Sequence, residues 1–126
     1  MAIGLMPDGG GTFHLPRLIG LGRALEHQLL GTRFDAERSL GLGLVSRVVE
    51  PDTLHDSGRA LAQTLSEAAP LALRAIKRAL RDGIDGTLDD ALRRERDGQL
   101  DLLASADARE GVSAFLERRK PAFSGS

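Results

Sequence analysis

The run Ile3–Gly20 constrains the fold most, and its sequence is IGLMPDGGGTFHLPRLIG. It joins a short apolar segment to a turn, because Pro, Asp and consecutive glycines are the residues that turns use. An apolar helix follows the turn. Asp8 is the only acid in the run, with flexible backbone on one side and apolar residues on the other. Such surroundings suit a carboxylate that moves protons on a flat substrate.

The bulk composition excludes several classes of function. The 126 residues carry a formal net charge of −1 and only 3% aromatic residues, so the sequence predicts no nucleic-acid partner. No apolar run approaches the roughly 18 residues of a membrane span, so no membrane association is expected. The chain has no cysteine, which excludes disulfides and thiolate sites and is typical of a cytoplasmic protein. Its three histidines lack the i, i+4 spacing of a helical metal site, so no metal is expected.

The periodicity of apolar residues and the positions of Gly and Pro divide the chain into two predicted regions. Residues 1–50 read as strand–turn–helix units, with strands at Ala2–Met6 and Leu44–Val49. Residues 51–126 read as a helical region. The predicted helices run over about 12–19, 23–30, 36–40, 52–68, 70–82, 88–104 and 107–119. Each has a capping or helix-breaking residue at one end. The predicted N-cap residues are Thr12, Asp35, Asp52 and Thr87.

The small number of strands argues against a self-sufficient fold. Two isolated strands make a marginal sheet in water, and an apolar opening strand normally belongs to a larger sheet buried on both faces. The first strand is also cut short by the start of the chain. The sequence therefore reads like the second half of a larger α/β protein, mostly helical as given.

Local motifs leave the role of the glycine-rich turn open. A phosphate-binding P-loop needs Lys and Ser/Thr after its last glycine, whereas Gly11 is followed by Thr12 and Phe13. Asp8 also has a purely structural interpretation, since an Asp in such a turn often hydrogen-bonds to its own backbone. The cations near Arg118 suit the C-terminus of a helix without any ligand.

Three blocks together resemble consecutive signatures of the crotonase superfamily, the enoyl-CoA hydratases and isomerases. They are GLMPDGGGTFHLPRLIG, LLGTRFDAERSLGLGLVSRVVEP and REGVSAFLERRKPAFSG, in the family's order and spacing. The resemblance covers the C-terminal half of a family member. It implies the end of a ClpP/crotonase-like ββα superhelix in residues 1–50 and a helical trimerisation region in residues 51–126.

The resemblance also implies a mechanism on an acyl-CoA thioester. Two backbone N–H groups hold the thioester oxygen while carboxylates move protons at neighbouring carbons. Asp8 matches the position where isomerase-type members carry a catalytic aspartate and typical hydratases carry glycine. Hydratases place a catalytic glutamate four residues before the position of Gly4, which falls ahead of Met1. One carboxylate suffices to take a proton from the α-carbon and return it at the γ-carbon, whereas water addition needs a second group.

The last block implies a second site. Phe115 and Arg118 match an aromatic and a basic residue near the adenine and phosphate end of CoA, reached from a neighbouring subunit. They lie one helical turn apart, so both are predicted to face one ligand, although ordinary helix packing explains Phe115 equally well. No separate cofactor is implied, since coenzyme A is part of the substrate. The expected partners are copies of the chain, in a trimer or dimer of trimers, or full-length relatives.

Three functional hypotheses follow. The chain is part of an isomerase-type acyl-CoA enzyme, with hydratase as the alternative reaction; a non-catalytic helical assembly module; or a truncated remnant. The oxyanion-hole residues belong to the half that precedes these blocks in the family. Loss of one such donor costs about 3 kcal/mol of transition-state stabilisation, so these 126 residues alone are expected to be nearly inactive.

Overall fold

The computed structural model describes residues 4–126, and these residues form α-helices joined by turns and short extended segments. Each helix begins or ends near a glycine, a proline or a capping side chain. The helices are α1 (Gly11–Ile19), α2 (Leu21–Leu30), α3 (Ala36–Gly41), α4 (Leu54–Ser66), α5 (Pro70–Gly83), α6 (Leu88–Leu103) and α7 (Ala106–Glu117), with a 3₁₀ turn at Pro51–Thr53. The chain divides into two compact units, Met1–Leu54 and His55–Ser126.

The first unit is organised around a small apolar cluster. Ile19, Ala24 and Leu42 are buried together, and Phe34 is one of three partly buried side chains packed against them. Gly20 separates α1 from α2 with a φ of 83°, a left-handed conformation that favours glycine. This break lets α1 and α2 pack against each other.

The start of α1 differs from the prediction. Thr12 does not cap the helix; Gly10 is the N-cap residue, and its carbonyl accepts from the N–H groups of Phe13 and His14 at 3.0 and 2.9 Å. The left-handed backbone at Gly10 starts the helix without any side-chain hydrogen bond. Pro16 lies inside α1, which is only nine residues long. Asp35 caps α3 as predicted, accepting from the Arg38 N–H at 2.7 Å.

Neither predicted strand is present among residues 4–126. The segment Leu44–Val49 is irregular, and no backbone hydrogen bond outside the helices reaches residues 45–49 within the described part of the chain. A β-branched segment needs a partner strand to form a ladder, and the described residues supply none. Of the strand predicted at Ala2–Met6, Gly4–Met6 is irregular and Ala2–Ile3 lies outside the described residues.

The second unit contains the helices predicted after Pro51, with small shifts at their ends. Asp52 lies in the 3₁₀ turn, and α4 begins at Leu54. Thr87 and Asp90 form the predicted capping box of α6: Thr87 Oγ1 accepts from the Asp90 N–H at 3.2 Å, and Asp90 accepts from the Thr87 N–H at 3.3 Å. Within this unit α5 packs on α6, and α6 packs on α7.

The helix α7 ends earlier than predicted, and the chain then folds back along it. The last helical residue is Glu117, and Arg118 adopts a left-handed conformation with φ 55° and ψ 36°. Residues 119–126 return to the start of α7, where the Ser126 carbonyl accepts from the Ala106 and Asp107 N–H groups at 2.7 and 3.2 Å. The N-terminal N–H groups of α7, which have no partner within the helix, are satisfied in this way.

Large apolar side chains are widely exposed on the described residues. They include Leu21, Leu29 and Leu30 on α2, and Leu103, Phe115 and Leu116 near α7. No helix in residues 4–126 has both the length and the apolar character needed to cross a membrane.

Candidate functional site

Asp8 lies in a tight turn whose shape depends on two glycines. The Asp8 carbonyl accepts from the Gly11 N–H at 3.0 Å, which closes the turn. Gly9 and Gly10 have φ values of 59° and 84°, in the left-handed region that side chains disfavour. The turn therefore delivers the chain into α1 and leaves Asp8 just ahead of the helix.

The ring of His14 lies close to Gly10. A Cβ built on Gly10 would lie 2.9 Å from Cδ2 of His14, closer than real Cβ atoms come to other atoms. His14 is in turn in an edge-to-face contact with Phe13, at 5.1 Å between ring centroids. The Arg17 guanidinium lies 3.6 Å from the centroid of the Phe13 ring. Phe13, His14 and Arg17 thus form an aromatic and cationic cluster on α1, and the His14 ring lies beside Gly10.

The Asp8 side chain is exposed and makes no hydrogen bond or ion pair within residues 4–126. The structural interpretation of Asp8, in which the side chain hydrogen-bonds its own turn, is therefore not seen among these residues. The expected apolar enclosure is also missing there, because Leu5 and Met6 are 66% and 70% exposed. The described residues thus supply one side of a possible site, namely an accessible carboxylate on a defined turn.

Phe115 and Arg118 both lie in the second unit, but they are not on one continuous helix. Phe115 belongs to the last turn of α7 and is 82% exposed. Arg118 lies just after the helix, in the left-handed conformation, so helix periodicity does not place it on the face of Phe115 as predicted. The Arg118 side chain forms no hydrogen bond or ion pair with the described residues, which leaves its guanidinium accessible to an anion.

Two acids that the sequence reasoning did not single out hold the returning tail. Asp107 is 4% exposed, and its carboxylate accepts from the backbone N–H groups of Ser124 at 2.7 Å and Gly125 at 3.0 Å. Glu110 accepts from the Ala122 N–H at 2.8 Å and forms a two-point ion pair with Arg119, at 2.5 and 2.9 Å. Asp107 in the first turn of a helix is a common pattern, so its function is evident only from its burial and its hydrogen bonds to the returning tail.

Electrostatics in this region follow the same contacts. The hydrogen bonds from Arg119 and then from the Ala122 N–H lower the pKa of Glu110 to about 2. The Lys120 ammonium, 2.6 Å from Glu67, holds the pKa of the Glu67 carboxyl below its usual range, with help from Gln63. Both acids are therefore charged at neutral pH, and both anchor the segment that follows Arg118.

A groove of about 440 Å³ lies between α5 and α6. It is lined by Leu71, Ala75 and Leu102, and by Arg78 and Arg94 together with three aspartates. The mixture of both charges gives no preference for an anion such as a phosphate. Within residues 4–126, no group of three or more His, Asp or Glu side chains is arranged to hold a metal ion.

Comparison with known proteins identifies the class. A family model described as enoyl-CoA hydratase/isomerase matches residues 1–126. The chain is 44% identical over 123 residues to 1,2-epoxyphenylacetyl-CoA isomerase of Escherichia coli, covering 98% of this chain and 47% of that one. It is 40% identical over 127 residues to carnitinyl-CoA dehydratase of Citrobacter koseri, covering 98% and 49%. The chain therefore belongs to the enoyl-CoA hydratase/isomerase family.

Solved structures show the same relationship in the fold. An enoyl-CoA hydratase subunit I from Geobacillus kaustophilus matches with a TM-score of 0.93 and 45% identity, over 99% of this chain and 49% of that one. An enoyl-CoA hydratase from Bacillus anthracis matches with a TM-score of 0.94 and 34% identity, over 99% and 48%. The described residues thus adopt the C-terminal part of the crotonase fold. The chain spans about half the length of the curated relatives it matches.

Proposed function

We propose that the chain forms part of an isomerase-type enzyme that moves a double bond within an enoyl-CoA thioester through an enolate. Asp8 is the acid and base of this reaction. The exposed Asp8 carboxylate, held on a glycine-rich turn and left without a side-chain partner in residues 4–126, is the observation that carries the proposal. A carboxylate already engaged in hydrogen bonds would have to break them before accepting a proton.

The proposed reaction needs a single proton carrier. The Asp8 carboxylate removes a proton from the α-carbon of a 3-enoyl-CoA, and the electrons move toward the thioester oxygen to give a dienolate. The protonated Asp8 then returns the proton at the γ-carbon, which leaves the double bond between the α- and β-carbons. Proton transfer by a positioned side chain contributes about 10²–10⁴-fold to the rate. The reaction requires no separate cofactor.

The other half of the proposed site is an oxyanion hole. Two backbone N–H groups, supplied by residues outside these 126, stabilise the negative charge on the thioester oxygen. Each such donor is worth about 3 kcal/mol, so two contribute about as much as Asp8 or more. We therefore expect these 126 residues alone to be nearly inactive.

The proposed CoA-binding residues are Phe115 and Arg118. Phe115 offers an exposed ring against which an adenine stacks, and Arg118 offers a guanidinium for a phosphate. The exposed apolar side chains near α7, Leu103 and Leu116 among them, support assembly with copies of the chain as a trimer or with full-length relatives.

Water addition is the second candidate reaction. The family includes proteins named hydratase and dehydratase, such as the Citrobacter koseri relative. A hydratase needs a second group that positions water, in addition to Asp8. The two reactions separate cleanly by product, since isomerisation leaves the mass of the acyl-CoA unchanged and hydration adds one water.

A hybrid protein tests the proposal. The N-terminal half of a full-length relative is joined ahead of Met1, and 3-enoyl-CoA and 2-enoyl-CoA are supplied separately to the hybrid and to the 126-residue chain. We expect the hybrid to isomerise 3-enoyl-CoA and the chain alone to show almost no turnover. Isomerisation by the chain alone at a rate near that of the hybrid would contradict the oxyanion-hole argument. Hydration without isomerisation would favour the second candidate.

A further inference from the structure

The turn at Arg118 is held in a conformation that its side chain disfavours. Arg118 is the only residue other than glycine with a positive φ among residues 4–126. The left-handed conformation costs an L-residue about 1–2 kcal/mol, and helices that end this way usually carry glycine at this position. Non-glycine residues keep such conformations only where the surrounding structure fixes them, and they are concentrated at ligand clamps and active sites.

Contacts on the helical side begin to explain what fixes the turn. The Arg119 N–H donates to the Ala114 carbonyl at 3.0 Å, and the Arg118 N–H donates to the Phe115 carbonyl at 3.3 Å. These bonds close the end of α7. They recur at the C-termini of many helices that end in glycine, so they alone do not require arginine.

The side chain of Arg119 provides the second set of contacts. Its guanidinium binds Glu110 through two nitrogens, and Nε donates to Glu117 Oε2 at 2.6 Å. Two-point pairing of Arg with a carboxylate fixes orientation as well as distance. The two arginines therefore differ. Arg119 forms ion pairs with two carboxylates, whereas the Arg118 side chain forms no hydrogen bond or ion pair in the described part of the chain.

The tail beyond Arg119 is anchored at several further points. Lys120 pairs with Glu67, the Ala122 N–H donates to Glu110, and the Ser124 N–H donates to the buried Asp107. Phe123 lies close to Gly111, where a Cβ would come within 3.6 Å of the ring. The chain is therefore fixed both before and after Arg118, whereas the Arg118 side chain forms no hydrogen bond or ion pair with the described residues.

We propose that Glu110 and Arg119 are positioning residues: their ion pair fixes the left-handed turn at Arg118 and so directs the Arg118 guanidinium toward an anionic ligand beside Phe115. The inference deepens the proposed function, because the anion is taken to be a phosphate of coenzyme A. Glu110 acts through Arg119 and the backbone and does not touch the ligand. Arg118→Gly would relieve the backbone strain in the turn and would also remove the guanidinium that is proposed to bind the phosphate.

The first test measures the turn itself by NMR on the ¹⁵N-labelled 126-residue chain. A strong intraresidue HN–Hα Overhauser effect at residue 118 reports a positive φ. We expect this signal in the parent chain and its loss in Glu110→Gln, together with faster amide exchange at Ala122. Glu95→Gln, which changes an exposed acid on α6, is the matched control and is expected to change neither reading. A positive φ that persists in Glu110→Gln would overturn the inference, because the ion pair would then hold the tail without setting Arg118.

The second test titrates coenzyme A, as the probe, into the ¹⁵N-labelled hybrid protein, which also contains the other half of the proposed site. We expect the resonances of Phe115 and Arg118 to shift on titration, and the affinity to fall several-fold in both Arg118→Gly and Glu110→Gln. Arg118→Gly is also expected to raise the melting temperature, because it removes the strain. No response at Phe115 and Arg118 in the parent hybrid would overturn the proposed CoA contact and this inference with it. That outcome is distinguishable from a failure of the turn, which the first test detects without ligand.

Discussion

Asp8 in the glycine-rich turn and Asp107 beside the C-terminal tail are both aspartates, but their surroundings are opposite. The Asp107 carboxylate is buried and accepts backbone N–H groups of the returning tail. The Asp8 carboxylate is exposed and has no side-chain partner within residues 4–126. An acid whose lone pairs are occupied stabilises structure, and an acid whose lone pairs are open is available for proton transfer. The comparison therefore separates an acid with a structural role from an acid that is accessible for proton transfer.

The largest expected change in stability comes from Asp107. Asp107→Ala removes the acceptor of the Ser124 and Gly125 N–H groups, and each hydrogen bond to a charged group is worth about 1.5–3 kcal/mol. We expect the free energy of unfolding in urea to fall by about 3 kcal/mol. Asp101→Ala on α6 is the matched control, with an expected change within about 0.5 kcal/mol. Equal effects of Asp107→Ala and Asp8→Ala on stability would break the comparison.

The next largest effect on stability is expected from the two glycines that follow Asp8 in the turn. Gly9→Ala forces a Cβ into a left-handed conformation with open space around it, at a cost of about 1 kcal/mol. Gly10→Ala also requires the exposed His14 ring to move aside, so we expect a somewhat larger cost, up to about 2 kcal/mol, in thermal unfolding. His14→Ala combined with Gly10→Ala should recover the difference. Identical costs at Gly9 and Gly10 would show that His14 does not constrain the turn.

The N-terminal caps of α1 and α6 are expected to give a smaller difference in stability. Thr87→Ala should destabilise the chain by about 1 kcal/mol, because α6 loses its side-chain cap, whereas Thr87→Ser keeps the oxygen. Thr12→Ala should change stability by less than about 0.5 kcal/mol, because α1 begins at Gly10 without a side-chain bond. Urea unfolding of the three variants checks both values. A large effect at Thr12 would contradict the observed start of α1.

The pH dependence of the tail gives the most modest effect. The pKa of Glu110 is lowered in the folded chain from 4.5 to about 2, chiefly by Arg119. A lowered folded-state pKa stabilises the fold above the unfolded pKa, and this stabilisation is lost as the pH falls through the folded value. The stability difference between the parent chain and Glu110→Gln should therefore shrink as the pH falls from 4.5 toward 2. A difference that stays constant over this range would show that the ion pair with Arg119 does not stabilise the fold.

Local sequence signals predicted the helices well, but they did not predict contacts between residues that are distant in the sequence. The Thr87–Asp90 capping box and the Asp35 cap lie within a few residues of the N–H groups they bind, so sequence alone revealed them. The strand at Leu44–Val49 was wrong for the described residues, because a ladder depends on a partner strand that they do not supply. The family was identified correctly, since its three blocks span the chain.

The contacts of the candidate site depended on distant residues and could not be predicted. Glu110 and Arg119 are nine positions apart, and Asp107 meets Ser124 across seventeen, so no helical or strand period joins them. The left-handed turn at Arg118 was missed because arginine rarely adopts it. The roles of Asp8, Phe115 and Arg118 remain predictions.

The rate of 3-enoyl-CoA isomerisation by the hybrid protein, measured with and without Asp8→Asn, tests the central claim most directly. Asn keeps the size of the side chain but cannot carry the proton. We predict that kcat falls about 100-fold or more while the melting temperature stays the same, because Asp8 holds no other part of the described structure together. A kcat within about threefold of the parent hybrid, with the fold intact, would contradict the assignment of Asp8 as the acid and base.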